Sequence, residues 1–359
     1  MKKVISVLLI FVLCFGMLSA CANNAGGENT TEKLPPDDGV LRVLIIGHSL
    51  GNDSTWLLPQ IAKNEGLDNL VVGMLYYSGC RLGQHVQFSL ANAAKYNYRQ
   101  FDLSKDTTWQ IADANGAYWD GGTGAVDLTG RNVNQTMKFA IEAQDWDIVV
   151  LQAGVFEASG KKTTDGLLNL TTIQGIMNYV NDNDVDKSTP VTFGWNMTWT
   201  MPADYANTTA YTYKETYHNH LKSAFSSSYE MYQSIADTLQ NQIMPKYNFK
   251  YMMPAGTTIE NIKSSYIGDK VYRDYIHVYD FGRLAAAYTW LCTLTGKDMS
   301  QMKIDPIQSY HLVQKSLRDG KVDLTLTETE KNILIESVTN ALKTPYAMTQ
   351  SAYTQKPAQ

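Results

Sequence analysis

The apolar positions of this chain fall into short continuous blocks separated by stretches of helical period. Leu41-Arg42-Val43-Leu44-Ile45-Ile46 predicts a buried strand, with a helix over 54–66 and a second strand over 69–77. Between 86 and 130 the period is lost, and Trp, Tyr, Asn and Gly dominate. An insertion with short strands or hairpins is expected there. Regular alternation resumes with a helix over 133–144, a strand over 146–152, a helix over 168–181 and a strand over 190–195. A long helix over 217–244, a strand over 249–253 and a closing helix over 279–295 follow. Thr327-Glu328-Thr329-Glu330 is a capping box that opens a last helix, with Leu334, Val338, Ala341 and Leu342 on one face. Strands alternating with helices predict an α/β fold, a flavodoxin-like three-layer α/β/α sandwich around an all-parallel sheet of about five strands. In such sheets ligands bind at the carboxyl ends of the strands. Ser49, Gly79, Gln152 and Trp195 all fall there.

The N-terminus has a different pattern. Met1-Lys2-Lys3 precedes an apolar run from Val4 to Leu18, the form of a signal peptide. Leu18-Ser19-Ala20-Cys21 matches a bacterial lipobox, in which Cys21 is diacylated and becomes the mature N-terminus. An ordinary signal peptide or a membrane anchor is the alternative. The run is short for a span, and small residues stand directly before Cys21, so the lipobox is preferred. The expected organisation is signal and lipobox over 1–21, a flexible tether over 22–39 with Gly26-Gly27 and Pro35-Pro36, one domain over 40–345, and a loose polar tail over 346–359. This implies a lipid-anchored, extracytoplasmic protein of a bacterial cell envelope, with the membrane as a partner.

With the signal removed and the tether set aside, about 320 residues remain for a globular body, enough for one large α/β domain. Hydrophobic residues make up 44% and charged residues 18%, which indicates a folded core. The net charge of −5 gives no support to nucleic-acid binding. The 22 tyrosines suit a protein that handles sugars or apolar groups outside the cytoplasm. Beyond Cys14 and Cys21, only Cys80 and Cys292 remain. They either pair or stand as buried free thiols; their spacing is no metal pattern, and free thiols are expected.

The chemistry centres on Gly47-His48-Ser49-Leu50-Gly51, between the first strand and the first helix. A serine on such a turn is exposed beside backbone N–H groups that can hold an oxyanion. The string also fits the nucleophile elbow of α/β-hydrolases, but that fold needs strands before the elbow, and only signal and tether precede this one. A serine here can instead be a helix cap. Asp274-Tyr275-Ile276-His277 lies just before the closing helix. A carboxylate three residues before an imidazole can hold one ring nitrogen and leave the other for a serine proton. A loop Asp and a capping His are the alternative.

The strand–Gly-x-Ser start, the glycine turn after strand two, the amide after strand three and the late Asp-x-x-His together resemble the SGNH/GDSL hydrolase superfamily over roughly 41–296. The resemblance implies Ser49 as nucleophile, Asp274 and His277 as its partners, and the N–H groups of Ser49 and Gly79 as oxyanion donors. The third block of that superfamily carries Gly-x-Asn-Asp. Here it reads Val149-Val150-Leu151-Gln152-Ala153-Gly154, and Gln152 is the natural substitute. His48 stands where Asp or Asn is common. The chain is similar to a bacterial branch with Leu-Gln in that place, an Asp soon after the nucleophile, matched by Asp53, and a later strand ending near a Trp, matched by Trp199. Asp53, His85, Trp195 and Trp199 are then expected to line the substrate site, although His85 can equally solvate a loop.

The function implied is a serine esterase that works through an acyl-enzyme, with acylated carbohydrate such as an O-acetyl ester as substrate and no metal or cofactor. The alternative is a lipoprotein that binds glycans or partners on the same scaffold without chemistry. His218 and His220 are two apart on an expected helix, where their side chains diverge, so no metal site is expected. His311 carries no signal.

Overall fold

The computed structural model describes residues 38–105, 109–115, 118–120, 134–161, 170–203, 224–304, 307–308 and 323–356. All belong to one unit, Pro35–Gln359. Cys21, His218, His220 and His311 lie outside the described residues.

Among the described residues eight strands form the main sheet: β1 (Leu41–Gly47), β2 (Leu70–Tyr76), β3 (Asn97–Asp102), β4 (Gln110–Ala112), β5 (Tyr118–Asp120), β6 (Ile148–Leu151), β7 (Thr192–Asn196) and β8 (Tyr251–Met253). Their order is β5-β4-β3-β2-β1-β6-β7-β8. The five strands β2-β1-β6-β7-β8 are parallel, in the flavodoxin-like order. β3, β4 and β5 extend the sheet as an antiparallel meander beyond β2, so the expectation of an all-parallel sheet holds for those five strands alone, which run from β2 to the β8 edge. The reversal has a local cause. After β2 a nine-residue helix, α3 (Leu82–Leu90), is followed by Asn92 with φ 44°, and the chain returns to pair Asn97 with Tyr76 at the same end of the sheet. It never travels back along the sheet as a parallel crossover must. The insertion therefore begins after α3, not at residue 86.

The helices are α1 (Ser49–Thr55), α2 (Leu58–Asn64), α3, α4 (Met137–Glu142), α5 (Val155–Ala158), α6 (Leu170–Asn183), α7 (Ser228–Thr238), α8 (Ala255–Lys263), α9 (Asp280–Thr295) and α10 (Glu328–Lys343). α1, α2, α8, α9 and α10 pack together in one layer, and α3, α4 and α6 in the other. The strand residues between them are fully buried from Val43 to Ile46 and from Ile148 to Leu151, as a sheet covered on both faces requires.

Three expectations need correction. The first helix starts at Ser49, five residues earlier than expected, and breaks at Trp56–Leu57 because Pro59 in the first turn of α2 has no N–H to continue the α1 ladder. Helix α8, which the pattern did not suggest, follows β8. The described part of the tail, 346–356, is not loose: Thr349 N–H donates to Asn261 Oδ1 (2.7 Å), Ser351 N–H to Ser264 Oγ (2.8 Å) and Tyr266 N–H to Tyr353 O (2.8 Å), which stitch it to α8 and the residues just after it. Cys80 and Cys292 are free and buried.

Candidate active site

Ser49 is the first residue of α1, directly above the end of β1. His48 caps that helix: its Nδ1 accepts Leu50 N–H (3.4 Å), and its Nε2 faces Ala153 O (3.3 Å) across the strand ends. Accepting on one side and donating on the other fixes the Nε2–H tautomer. Asp and Asn are the usual residues for such a cap, and here an imidazole nitrogen does the same work. Burial, only partly offset by the Ala153 carbonyl, lowers the His48 pKa to about 4. The ring is therefore neutral at ordinary pH.

The second turn follows β2. Gly79 is exposed with φ 60°, the left-handed region that a side chain disfavours, and open space surrounds the position a Cβ would take. Cys80 N–H donates to Tyr77 O (3.2 Å) to close the turn. Glu157 of α5 accepts the Leu82 N–H (3.1 Å), pinning the start of α3 just behind Gly79. Nothing in the sequence marked Glu157 for this role.

Gln152, at the end of β6, is fully buried. A Cβ on Gly47 would come within 2.9 Å of its Oε1, and one on Gly51 within 2.8 Å. The glycines of the Gly47–Gly51 motif thus clear room for this amide beneath the Ser49 turn. Neither Oε1 nor Nε2 has a hydrogen-bond partner among the described residues.

The loop between Tyr272 and Val278 carries the imidazole. Its ends pair as an antiparallel bridge, and Arg273 N–H donates to His277 O (3.0 Å). Asp274 Oδ1 accepts the N–H groups of Ile276 (2.9 Å) and His277 (2.8 Å), which leaves Oδ2 for His277 Nδ1 at 2.8 Å. Burial alone would raise the Asp274 pKa, but the hydrogen bond and charge of the His277 ring, with the two loop N–H groups, hold it at about 2. Asp274 is an anion that orients an imidazole, with the other ring nitrogen free of it. Both side chains are partly exposed, His277 at 20%.

Ser49 Oγ and His277 are brought to the same end of the sheet but make no hydrogen bond with each other among the described residues. Their connection runs through Asp53, one turn after Ser49 on α1. Arg273 Nη1 contacts both Asp53 oxygens (3.1 and 3.2 Å), Arg283 Nε donates to Oδ1 (2.9 Å), and Val278 N–H lies 3.3 Å from Oδ2. Burial opposes ionisation, but the two guanidinium groups outweigh it and lower the Asp53 pKa.

The four residues expected to line the substrate site are all buried and engaged within the protein. Asp53 is enclosed by its arginines. His85 stacks on Tyr96 and bonds its hydroxyl at 2.9 Å. Trp195 packs against Phe249. Trp199 donates its indole N–H to Ile276 O (2.7 Å), bracing the His277 loop from the far side. Arg273 and Arg283 were missed: Arg273 directly precedes Asp274 in sequence, but only the fold brings it to Asp53.

Residues 109–311 match the family described as "Domain of unknown function (DUF4886)". The chain belongs to the DUF4886 family. The matched span includes Gln152, Asp274 and His277, while Ser49 and Gly79 precede it. The crystal structure of a DUF4886 family protein from Bacteroides uniformis is similar, with a TM-score of 0.60 and 21% identity over 87% of this chain and 98% of that one. That likeness shows a shared fold. The crystal structure of an acetyl xylan esterase, AlAXEase, has a TM-score of 0.32 at 12% identity over 70% of this chain and 98% of that one. No curated protein matches.

Proposed function

We propose that this DUF4886 protein is a serine esterase of the SGNH/GDSL type. The observation that carries the reading is the Asp274–His277 pair: a carboxylate held ionised by its own loop, 2.8 Å from Nδ1 of a partly exposed imidazole, at the strand end where Ser49 begins its helix. In this mechanism Ser49 Oγ attacks the ester carbonyl and passes its proton to His277 Nε2. Asp274 holds the ring in the tautomer that can accept it and stabilises the imidazolium. His277 then returns the proton to the leaving alcohol. Water, activated in the same way, releases the acyl group from Ser49.

The N–H of Ser49, at the start of a helix where no intrahelical acceptor exists, and the N–H of the exposed residue Gly79 are the backbone oxyanion donors. The unpartnered amide of Gln152 is the third donor, in the role of the superfamily's asparagine. No step calls for a metal or cofactor. The substrate class proposed is an acylated carbohydrate such as an O-acetyl ester, met at the envelope surface by a protein held through a diacylated Cys21.

The test is covalent labelling of the full-length chain by a fluorophosphonate, followed by mapping of the adduct. Labelling at Ser49 that is lost in Ser49→Ala and His277→Ala is expected. A wild-type chain that takes no label, and hydrolyses no member of an ester panel, would favour a binding role instead.

A further inference from the structure

The most heavily engaged buried charge near the site belongs to a residue that neither attacks nor orients in the mechanism above. Asp53 is fully enclosed, four residues after Ser49, so the two stand one above the other on the same face of α1. Its carboxylate contacts Arg273, the residue immediately before Asp274, and Val278, the residue immediately after His277. Arg273 Nη1 also donates to Val278 O (2.8 Å), so one guanidinium ties the two flanks of the loop to each other while it ties them to α1. Arg283, in the first turn of α9, approaches Asp53 Oδ1 through Nε (2.9 Å) and Nη2 (2.8 Å) and so joins that helix to the same point. Arg283 also meets Asp280 at 3.6 Å. Gly282 permits the close approach of α9, since a Cβ there would fall 2.6 Å from Val278 Cβ.

We propose that Asp53 is a positioning residue, which grips both flanks of the Asp274–His277 segment and thereby sets where the imidazole stands relative to Ser49. The inference rests on the serine-esterase reading for its catalytic consequence, and on geometry alone for the clamp. Three features separate this from general packing. The contacts fall on the two residues that bracket the segment. They originate one turn from the nucleophile. They are made by a charged acceptor whose loss leaves two buried guanidinium groups facing each other, a far larger perturbation than loss of one neutral hydrogen bond. A misplacement of about 1 Å between nucleophile and base is enough to cost on the order of 10²-fold in turnover.

The experiment uses the full-length chain with p-nitrophenyl acetate and a double-mutant cycle. Asp53→Asn is expected to lower kcat by roughly 10²-fold while KM changes by less than about threefold. In a His277→Ala background the same substitution should cost less than about twofold, because a residue that acts only through His277 has nothing left to position. Equal losses in the two backgrounds, or an unchanged kcat, would overturn the proposal. If Asp53→Asn does not fold, Arg273→Lys keeps the charge but removes the planar fork, and should show the same dependence on His277. Hydrogen exchange of the amides of residues 273–279 provides a readout free of catalysis. It should quicken in Asp53→Asn while the strands β1 and β6 stay protected, and unchanged exchange would overturn the clamp whether or not the wild type proves to be an esterase.

Discussion

The amide of Gln152 occupies the space that a side chain at Gly51 would need. A Cβ there would meet Gln152 Oε1 at 2.8 Å and Ile45 Cδ1 at 2.9 Å. Gly51→Ala should therefore push the amide from its cradle, costing about 1–3 kcal/mol of stability and slowing fluorophosphonate labelling of Ser49. The companion change tests the amide directly. Gln152→Ala should lower kcat by roughly 10²–10³-fold with little change in KM, because its donor acts on charge that exists only in the transition state. Gln152→Asn should keep partial activity. A fully active Gln152→Ala enzyme would remove Gln152 from the oxyanion site.

Asp274→Asn makes a sharper distinction between orientation and charge. The asparagine carbonyl can still accept the Ile276 and His277 N–H groups, so the loop should keep its shape. Its NH₂ would then face His277 Nδ1 and force the opposite tautomer, with Nε2 protonated and unable to take the serine proton. Turnover is expected to fall by roughly 10³–10⁴-fold with an unchanged melting temperature, as steady-state kinetics and thermal melts would establish.

Acid should destabilise the fold before it protonates the carboxylates. Burial lowers the His48 pKa to about 4, and burial together with the nearby His48 charge lowers that of His85 to about 3. Both are depressed below the ordinary value of 6.5, so the unfolded chain binds more protons than the folded one as pH falls from 6.5 towards these values. Stability is full above that range and declines through it, with a slope of up to about 1.4 kcal/mol per pH unit for each histidine. Thermal melts from pH 7.5 to pH 4.5 should show the decline, and His85→Phe should flatten it. A melting temperature constant over that range would contradict the buried neutral state of the two rings.

If Cys21 carries the proposed diacyl anchor, Cys21→Ala should yield an unprocessed precursor or a released protein, since such an anchor would need that thiol. Metabolic labelling with palmitate measures this. Label retained by the mutant would rule out Cys21 as the lipid-bearing residue.

The parts of this fold that are legible in the sequence are those whose local pattern and tertiary environment agree. The apolar blocks of β1, β2, β6 and β7 read as buried strands because a sheet covered on both faces demands continuous hydrophobicity. The capping box at Thr327 and Glu330 forms as the sequence suggests, with Glu330 Oε2 accepting Thr327 N–H at 2.7 Å, because its partners are three residues apart. Asp274 and His277 meet for the same reason, since one loop holds both.

What the tertiary structure decided lies where partners are remote or local preference is weak. Helix α8, with Gly256, Thr257 and Thr258 in its first turns, has poor intrinsic propensity and forms because Ala255 to Ile262 are buried, with Gly256 packed against Thr198 O. The antiparallel turn to β3 depends on where a short helix ends. Asp53 and Arg273 are separated by 220 positions, and nothing in either neighbourhood announces the other. The nature of each residue, a carboxylate and a guanidinium, was written in the chain. That one would hold the other inside the protein rather than meet a substrate followed only from the burial that makes such a charge seek a partner.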